Sequence, residues 1–131
     1  MATVFDVSNQ VPSAQEYCAL RVAAGLSDHD EATAAVALPK SLHAVTVRDS
    51  GRLIAMGRVV GDGLHIQVVD IAVEPDFQGQ GLSRVVMEDI MAFIATLPES
   101  TIVNLFADID WLYQKFGFVV SDHTVGMILR R

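Results

Sequence analysis

The sequence predicts an α/β (α+β) domain with a mixed, mostly antiparallel central sheet and helices on both faces. The apolar pattern gives the element order β-α-α-β-β-β-α-β-α-β-β. Turn signals join the middle strands as hairpins, and a strand–helix–strand unit follows them, which requires a parallel strand pair. Since the chain has 131 residues, of which 51% are hydrophobic, we expect residues 1–131 to form a single domain.

The N-terminal part is predicted to hold one strand and two helices. Residues 4–7 are a short apolar run that favours the first strand. Ser13 and Glu16 have the spacing of a capping box, which opens a helix that Gly25 ends. A second, alanine-rich helix is expected at 28–38, because Asp28 and Asp30 suit its first turn and Pro39 closes it.

The rest of the chain is predicted to form most of the sheet. Apolar runs at 44–47 and 53–60 are joined by Asp49-Ser50-Gly51, which is a hairpin signal, and a turn at 61–63 leads into a third run at 64–73. The remaining predicted elements are a helix at 82–97, a strand at 102–106, a short helix at 110–116 and two last strands at 118–120 and 126–129.

The segment from Val68 to Leu97 carries the most informative pattern. A near-continuous apolar strand ends at Pro75, the run Gln78-Gly79-Gln80-Gly81-Leu82-Ser83 follows, and a helical pattern begins with almost no spacer. Glycines between a strand and a helix let backbone N–H groups gather around an anion, and the helix dipole favours negative charge there. We therefore expect a pyrophosphate-bearing cofactor at this loop.

Two common phosphate-binding motifs do not fit the loop. A Rossmann fingerprint requires a third glycine, whereas this chain has Arg84 at that spacing, and it follows an early parallel strand rather than a meander. A P-loop requires Gly-Lys-Ser/Thr, which the segment lacks.

The motifs resemble those of the GNAT acetyltransferase superfamily. Its cofactor motif is Arg or Gln, two residues, Gly, one residue, then Gly or Ala; here Gln78, Gly81 and Ser83 occupy those positions. A second segment, residues 112–118 (LYQKFGF), is similar to the family's "LYxKxGF" sequence, and the predicted element order is GNAT-like. The "DIAV" and "QGQGL" segments are also similar to those of glucosamine-phosphate N-acetyltransferases. Ser83 departs from the family's Gly or Ala but is still small.

The resemblance implies acetyl-coenzyme A as the acyl donor. The backbone of the strand would pair with the pantetheine arm, the loop amides would hold the pyrophosphate with Arg84 nearby, and Asn104 would lie near the pantetheine or thioester. Tyr113 matches the family tyrosine that protonates the departing thiolate. The implied cofactor-binding residues are Ile71, Ala72, Val73, Gln78, Gly79, Gln80, Gly81, Leu82, Ser83, Arg84, Asn104 and Tyr113.

The base that would take the proton of the acceptor amine is less well defined. Asp70 projects from the cofactor strand, so its carboxylate could act through water, orient an ammonium group or make structural hydrogen bonds. His65 and His123 are alternatives, each with a surface or structural role as the simpler interpretation. Tyr113 and Asp70 are therefore the candidate catalytic residues.

Composition and charge restrict the partners. With 9 Lys and Arg against 16 Asp and Glu, the net charge is −7, which disfavours nucleic acid and suits a cationic partner, although acidic surfaces also serve solubility. No segment predicts a signal peptide or a membrane span, so we expect a cytoplasmic protein. Cys18 is the only cysteine, so it is expected to pack in the core, and no metal is predicted.

The sequence therefore predicts an acetyl-coenzyme A-dependent N-acetyltransferase that acts on a small primary amine, such as a polyamine, an arylalkylamine or an amino sugar. Two alternatives remain open: a protein or peptide amine as the acceptor, and a non-catalytic acyl-coenzyme A-binding module. A homodimer is also possible.

Overall fold

A computed structural model describes residues 4–108 and 111–131. The helices and strands, numbered here in chain order, are β1 (Asp6–Ser8), α1 (Ala14–Ala23), α2 (Glu31–Ala37), β2 (His43–Asp49), β3 (Arg52–Gly61), β4 (His65–Val73), α3 (Leu82–Ile94), β5 (Ile102–Asn104) and α4 (Trp111–Gln114). Short 3-10 turns lie at Leu38–Lys40 and Pro75–Phe77. Within the described residues, no helix is both long and apolar enough to cross a membrane.

The five strands form one sheet in the order β1-β2-β3-β4-β5. The first four strands pair antiparallel, and β5 pairs parallel with β4. The helix α3 connects β4 to β5, as the strand–helix–strand pattern predicted. The β2–β3 turn places Ser50 at φ 49° and Gly51 at φ 87°, the two positive angles of a type I′ hairpin. The predicted sheet type is confirmed.

Helices cover both faces of the sheet, which confirms the predicted layers. One face packs on α3, whose Val86, Met87 and Ile90 are fully buried against strand residues such as Val45 and Val59. The other face packs on α1 and α2 through Tyr17, Leu20, Ala34 and Leu38. Cys18 is partly buried beside that second cluster.

The predicted capping box forms at the start of α1, and its glutamate also links the helix to the sheet. The Ser13 N–H donates to Glu16 Oε2 at 2.7 Å, and the Glu16 N–H donates to Ser13 Oγ at 3.3 Å. The same carboxylate accepts two 2.7 Å hydrogen bonds from Arg48 on β2. Arg48 is the main reason that the pKa of Glu16 is lowered.

The C-terminal part differs from the prediction. The predicted strands at 118–120 and 126–129 are wrong for this chain: within the described residues, no regular element follows α4. Those residues pair with no described strand, and most of their side chains are exposed. The strand predicted at 102–106 stops at Asn104, and Asp110, the predicted start of α4, lies outside the described residues.

Candidate active site

A cleft opens where β4 and β5 stop pairing. The parallel pair ends at Gln67 and Asn104. Beyond it, Val68–Val73 form one wall, and the residues after β5 form the other, around a volume of about 490 Å³. Along this wall, the β4 edge that faces the cleft has no partner strand among the described residues, so its backbone groups are available to a ligand.

A β-bulge distorts β4 along this wall. Met56 on β3 lies opposite Ala72, whereas Arg58 lies opposite Val69. One residue of β3 therefore faces two residues of β4, Asp70 and Ile71, which is the definition of a bulge. Asp70 has φ 61°, an uncommon left-handed conformation for a residue other than glycine. Asp70 contacts Tyr17 and Arg21 of α1, whereas Ile71 packs with the cluster beneath α3 on the opposite face of the sheet.

Gly57 makes room for the bulge. A Cβ on Gly57 would lie 2.6 Å from Ile71 Cδ1, 2.6 Å from Val86 Cγ1 and 3.0 Å from Ile90 Cδ1. The Ile71 side chain therefore packs directly over the Gly57 backbone, beneath α3. The sequence analysis did not identify Gly57, although a glycine inside an apolar strand is a known sign of a bulge or a close approach.

The carboxylate of Asp70 is surrounded by three donors. Tyr17 Oη donates to Asp70 Oδ2 at 2.8 Å, and Arg58 Nε donates to the same oxygen at 2.6 Å. Arg21 Nη1 donates to Asp70 Oδ1. The side chains are mostly buried, with Asp70 only 5% exposed. Of the roles predicted for Asp70, this geometry favours structural hydrogen bonding.

Further contacts fix the two arginines. Arg21 Nε donates to the Ser27 carbonyl at 2.8 Å, and Arg58 Nη1 donates to Ser41 Oγ at 3.0 Å. Burial, followed by the Asp70 charge and hydrogen bond, raises the pKa of Tyr17 to about 12, so its hydroxyl remains a donor at neutral pH. Buried arginines in apolar elements were the available sequence signal for this cluster, since buried charges are normally paired.

The glycine loop before α3 also borders the cleft. The lining includes Gln78, Gly79, Gly81, Leu82 and Ser83. Gly79 and Gly81 have φ 81° and 77°, and the space around the Cβ position of each is open. Gly81 begins α3 without a side-chain cap, so first-turn N–H groups of this 13-residue helix are available to an anion. These features fit the pyrophosphate of acetyl-coenzyme A.

Three predicted cofactor residues lie outside the cleft lining. Gln80 is exposed in the loop and does not line the cleft. Arg84 points along α3, where its Nε donates to Glu88 Oε1 at 2.7 Å. Asn104 lies in a separate groove on the other side of β5. Because β4 and β5 are still paired at Asn104, the cleft opens only after it, and the expected position of Asn104 near the pantetheine or thioester stays a prediction.

The predicted tyrosine does line the cleft. Tyr113 on α4 shares the lining with the β4 wall and the glycine loop, and its ring packs edge-on against Phe118 at 6.5 Å. Burial, and secondarily the charge of Asp108, raise the pKa of Tyr113. The hydroxyl therefore keeps its proton at neutral pH. His65 and His123 are not part of the cleft lining.

Sequence comparison identifies the family. The profile described as "Acetyltransferase (GNAT) domain" matches residues 39–120. The chain belongs to the GNAT acetyltransferase family. The fold, the acyltransferase class and the resemblance predicted from the sequence are thereby confirmed at the level of the family.

Curated relatives that are named as N-acetyltransferases match part of the chain. An uncharacterized N-acetyltransferase from Porphyra purpurea is 38% identical over 82 residues, which cover 60% of this chain and 47% of the relative. Serotonin N-acetyltransferase 2, chloroplastic, from Oryza sativa subsp. japonica is 37% identical over 86 residues, covering 63% of this chain and 42% of the relative. Each match thus spans less than half the length of the relative.

Solved structures of GNAT proteins match nearly the whole chain. A protein from meticillin-resistant Staphylococcus aureus, described as a probable acetyltransferase, has a TM-score of 0.92 and 42% identity, covering 98% of this chain and all of that one. A GNAT-family acetyltransferase from Brucella melitensis in complex with acetyl-CoA has a TM-score of 0.67 and 15% identity, covering 91% of this chain and 85% of that one. The second likeness shows the shared fold.

Proposed function

We propose that this GNAT domain transfers the acetyl group of acetyl-coenzyme A to the primary amine of a small molecule. One observation carries the proposal: a single cleft joins the open edge of β4, the glycine loop at the start of α3 and the hydroxyl-bearing Tyr113. These parts suit, respectively, an extended ligand arm, a pyrophosphate and a leaving group that needs a proton.

The donor would lie along the cleft. The backbone of Ile71, Ala72 and Val73 would pair with the pantetheine arm as an added strand would. The amides from Gln78 to Ser83 would hold the pyrophosphate at the positive end of the α3 dipole. Bound there, acetyl-coenzyme A supplies an activated acetyl group as a thioester.

Two groups of this chain would then assist the transfer. A backbone N–H of the β4 wall, at Ile71 or Val73, would stabilise the negative charge that develops on the carbonyl oxygen as the amine attacks. Tyr113 would give its proton to the departing sulfur. Its raised pKa supports this role, because the phenol stays protonated at neutral pH.

Asp70 is proposed as a positioning residue rather than as the base. Three donors occupy its carboxylate, and two of them are the guanidinium groups of Arg21 and Arg58. These hydrogen bonds engage both oxygens of the carboxylate. Its contacts instead fix the bulge at φ 61°, and the bulge sets the direction of the neighbouring Ile71 N–H.

Of the small amines considered, the cleft lining favours an arylalkylamine over a polyamine or an amino sugar. Phe106 and Trp111 line the cleft and are 64% and 57% exposed, so they offer aromatic surface to a ring. Asp108 adds a carboxylate that suits the ammonium group. The rice relative is named for serotonin, which is itself an arylalkylamine.

An amine-panel assay that follows acetyl-coenzyme A-dependent release of free thiol tests this function. The panel contains serotonin, tryptamine, spermidine, glucosamine, glucosamine 6-phosphate and a lysine peptide. We expect turnover with arylalkylamines, reduced about 100-fold or more in Tyr113→Phe with little change in acetyl-coenzyme A affinity. Turnover only with the peptide would favour a protein acceptor, and binding without amine-dependent release would favour a non-catalytic module.

A further inference from the structure

The cluster around Asp70 carries an excess of positive charge. Arg21 and Arg58 both donate to its carboxylate, and the third donor, Tyr17, is a phenol that keeps its proton. Within the part of the chain that the structure describes, neither guanidinium has another carboxylate within 4 Å. Two positive charges against one negative charge leave the cluster with a net charge of +1.

Burial makes this excess charge unfavourable. The side chains of Arg21 and Arg58 are only 11% and 14% exposed, and a buried charge without a counterion is costly. The acidic side chains at the start of α2 do not supply the missing charge: Asp28, Asp30 and Glu31 are exposed and line a separate groove. The cluster is therefore suited to an anionic ligand.

Arg21 is the arginine of the pair that reaches the cleft. It contributes to the cleft lining, whereas Arg58 does not. Its Nη1 donates to Asp70, its Nη2 donates to Ser27 Oγ at 3.0 Å, and its Nε donates to the Ser27 carbonyl. Each Nη atom carries a second N–H group, which has no acceptor among the described residues. Two parallel N–H donors of a guanidinium match the two oxygens of a carboxylate.

The same cleft also holds groups that suit an amine and an aromatic ring. Asp108 contributes a carboxylate to the lining, and Phe106 and Trp111 contribute aromatic surface. A ligand that satisfies all of these groups has a ring, an ammonium group and one anionic group. An α-amino acid with an aromatic side chain has this combination.

We infer that the acceptor is an aromatic α-amino acid, whose carboxylate binds Arg21 while its α-amine is acetylated. The inference rests on the proposed function and narrows its substrate class. A carboxylate carries a single negative charge, which balances the +1 of the cluster, whereas a phosphate group carries about −2. In the transfer, the new C–N bond forms as the C–S bond breaks, the amine gives one proton to water, and the sulfur receives one from Tyr113.

Comparison of L-tryptophan with L-tryptophanamide in the thiol-release assay tests the inference on the parent chain. The two amines share the ring and the stereocentre, and they differ only in a carboxylate or a neutral carboxamide. We expect kcat/KM to be about 10-fold or more higher for L-tryptophan, because a hydrogen bond to a charged group is lost in the amide. Equal rates, a preference for the amide, or a preference for glucosamine 6-phosphate over L-tryptophan overturns the inference.

Variants of Arg21 test whether this residue reads the carboxylate. In Arg21→Gln the ratio of kcat/KM for L-tryptophan over the amide should fall to about 1, whereas Arg21→Lys, which keeps the charge, should retain part of the preference. The matched control is Arg48→Gln, which breaks the ion pair with Glu16 outside the cleft lining and should keep the parent ratio. An unchanged ratio in both Arg21 variants overturns the inference. If Arg21→Gln does not fold, Arg21→Lys and the parent chain decide.

Calorimetric titration of the coenzyme A-loaded parent with the same two amines separates this inference from the proposed chemistry. Tighter binding of L-tryptophan supports the carboxylate site even if no amine is acetylated, in which case the proposed function alone fails. Acetylation of both amines without a preference leaves the proposed function intact and overturns the inference. Absence of a preference in both binding and turnover also overturns it.

Discussion

Ile71 packs so closely over Gly57 that a Cβ on the glycine would lie 2.6 Å from Ile71 Cδ1. Gly57 lies on β3, opposite the β-bulge of β4 that contains Ile71. Ile71 also lines the cleft. The contact links the core beneath α3 to the strand that would hold the cofactor, so a change in packing at Gly57 should reach the active site.

Gly57→Ala tests that link. The added methyl group must displace both Ile71 and Val86, and overpacking of this kind costs about 1–3 kcal/mol of unfolding free energy. We expect a loss in that range by urea unfolding, together with weaker acetyl-coenzyme A binding.

The control for Gly57→Ala is a double-mutant cycle with Ile71→Val, which removes the clashing Cδ1 atom. The double variant should lose less stability than the sum of the single variants, since residues in contact are coupled. Additive losses would show that the contact does not determine the effect.

Asp70→Asn separates positioning from base catalysis. Asparagine tolerates the left-handed φ as aspartate does, so the variant removes the charge with little backbone strain. Arg21 and Arg58 would then lack their buried counterion, which should cost about 3–5 kcal/mol. We expect lower stability and a lower kcat/KM, with an acidic limb of the pH–rate profile that keeps its midpoint. Loss of that limb with stability intact would instead identify Asp70 as the base.

Alkaline unfolding reports on Tyr17. In the unfolded chain a tyrosine titrates near a pKa of about 10, whereas in the folded chain the pKa of Tyr17 is about 12. Between these values the folded state keeps a proton that the unfolded state has lost, so stability falls as pH rises. The contribution is fully present below pH 10 and lost by about pH 12. Urea unfolding at pH 9 and 11 should show a steeper fall for the parent than for Tyr17→Phe; equal falls would contradict this pKa.

Gly79→Ala and Gly51→Ala form a matched pair. Both glycines have φ above 80°, and the space around both Cβ positions is open, so each substitution should cost about 1–2 kcal/mol of stability through backbone strain. Only Gly79 lies in the cofactor loop. Isothermal titration should therefore show weaker acetyl-coenzyme A binding for Gly79→Ala and parent-like binding for Gly51→Ala. Equal affinities in the two variants would argue against the loop as the binding site.

The sequence predicted those features that depend on local patterns. The capping box of Ser13 and Glu16, the Ser50-Gly51 hairpin and the glycine loop before α3 all involve neighbouring residues, and the structure has each of them. The parallel position of β5 followed from the intervening helix.

Features that depend on distant contacts were not predicted. The Asp70 cluster brings together residues as much as 53 positions apart in the chain. The periodicity of hydrophobic residues does not predict contacts between residues so far apart. The strands expected at 118–120 and 126–129 do not form among the described residues, because strand propensity alone does not determine strand pairing.

The most direct test of the central claim is a two-dimensional ¹H–¹⁵N NMR titration with acetyl-coenzyme A. The account predicts saturable shifts concentrated at the amides of 69–73 and 78–84 and around Tyr113, the walls and loop of the single cleft. Little change there, or shifts concentrated on another surface, would contradict it.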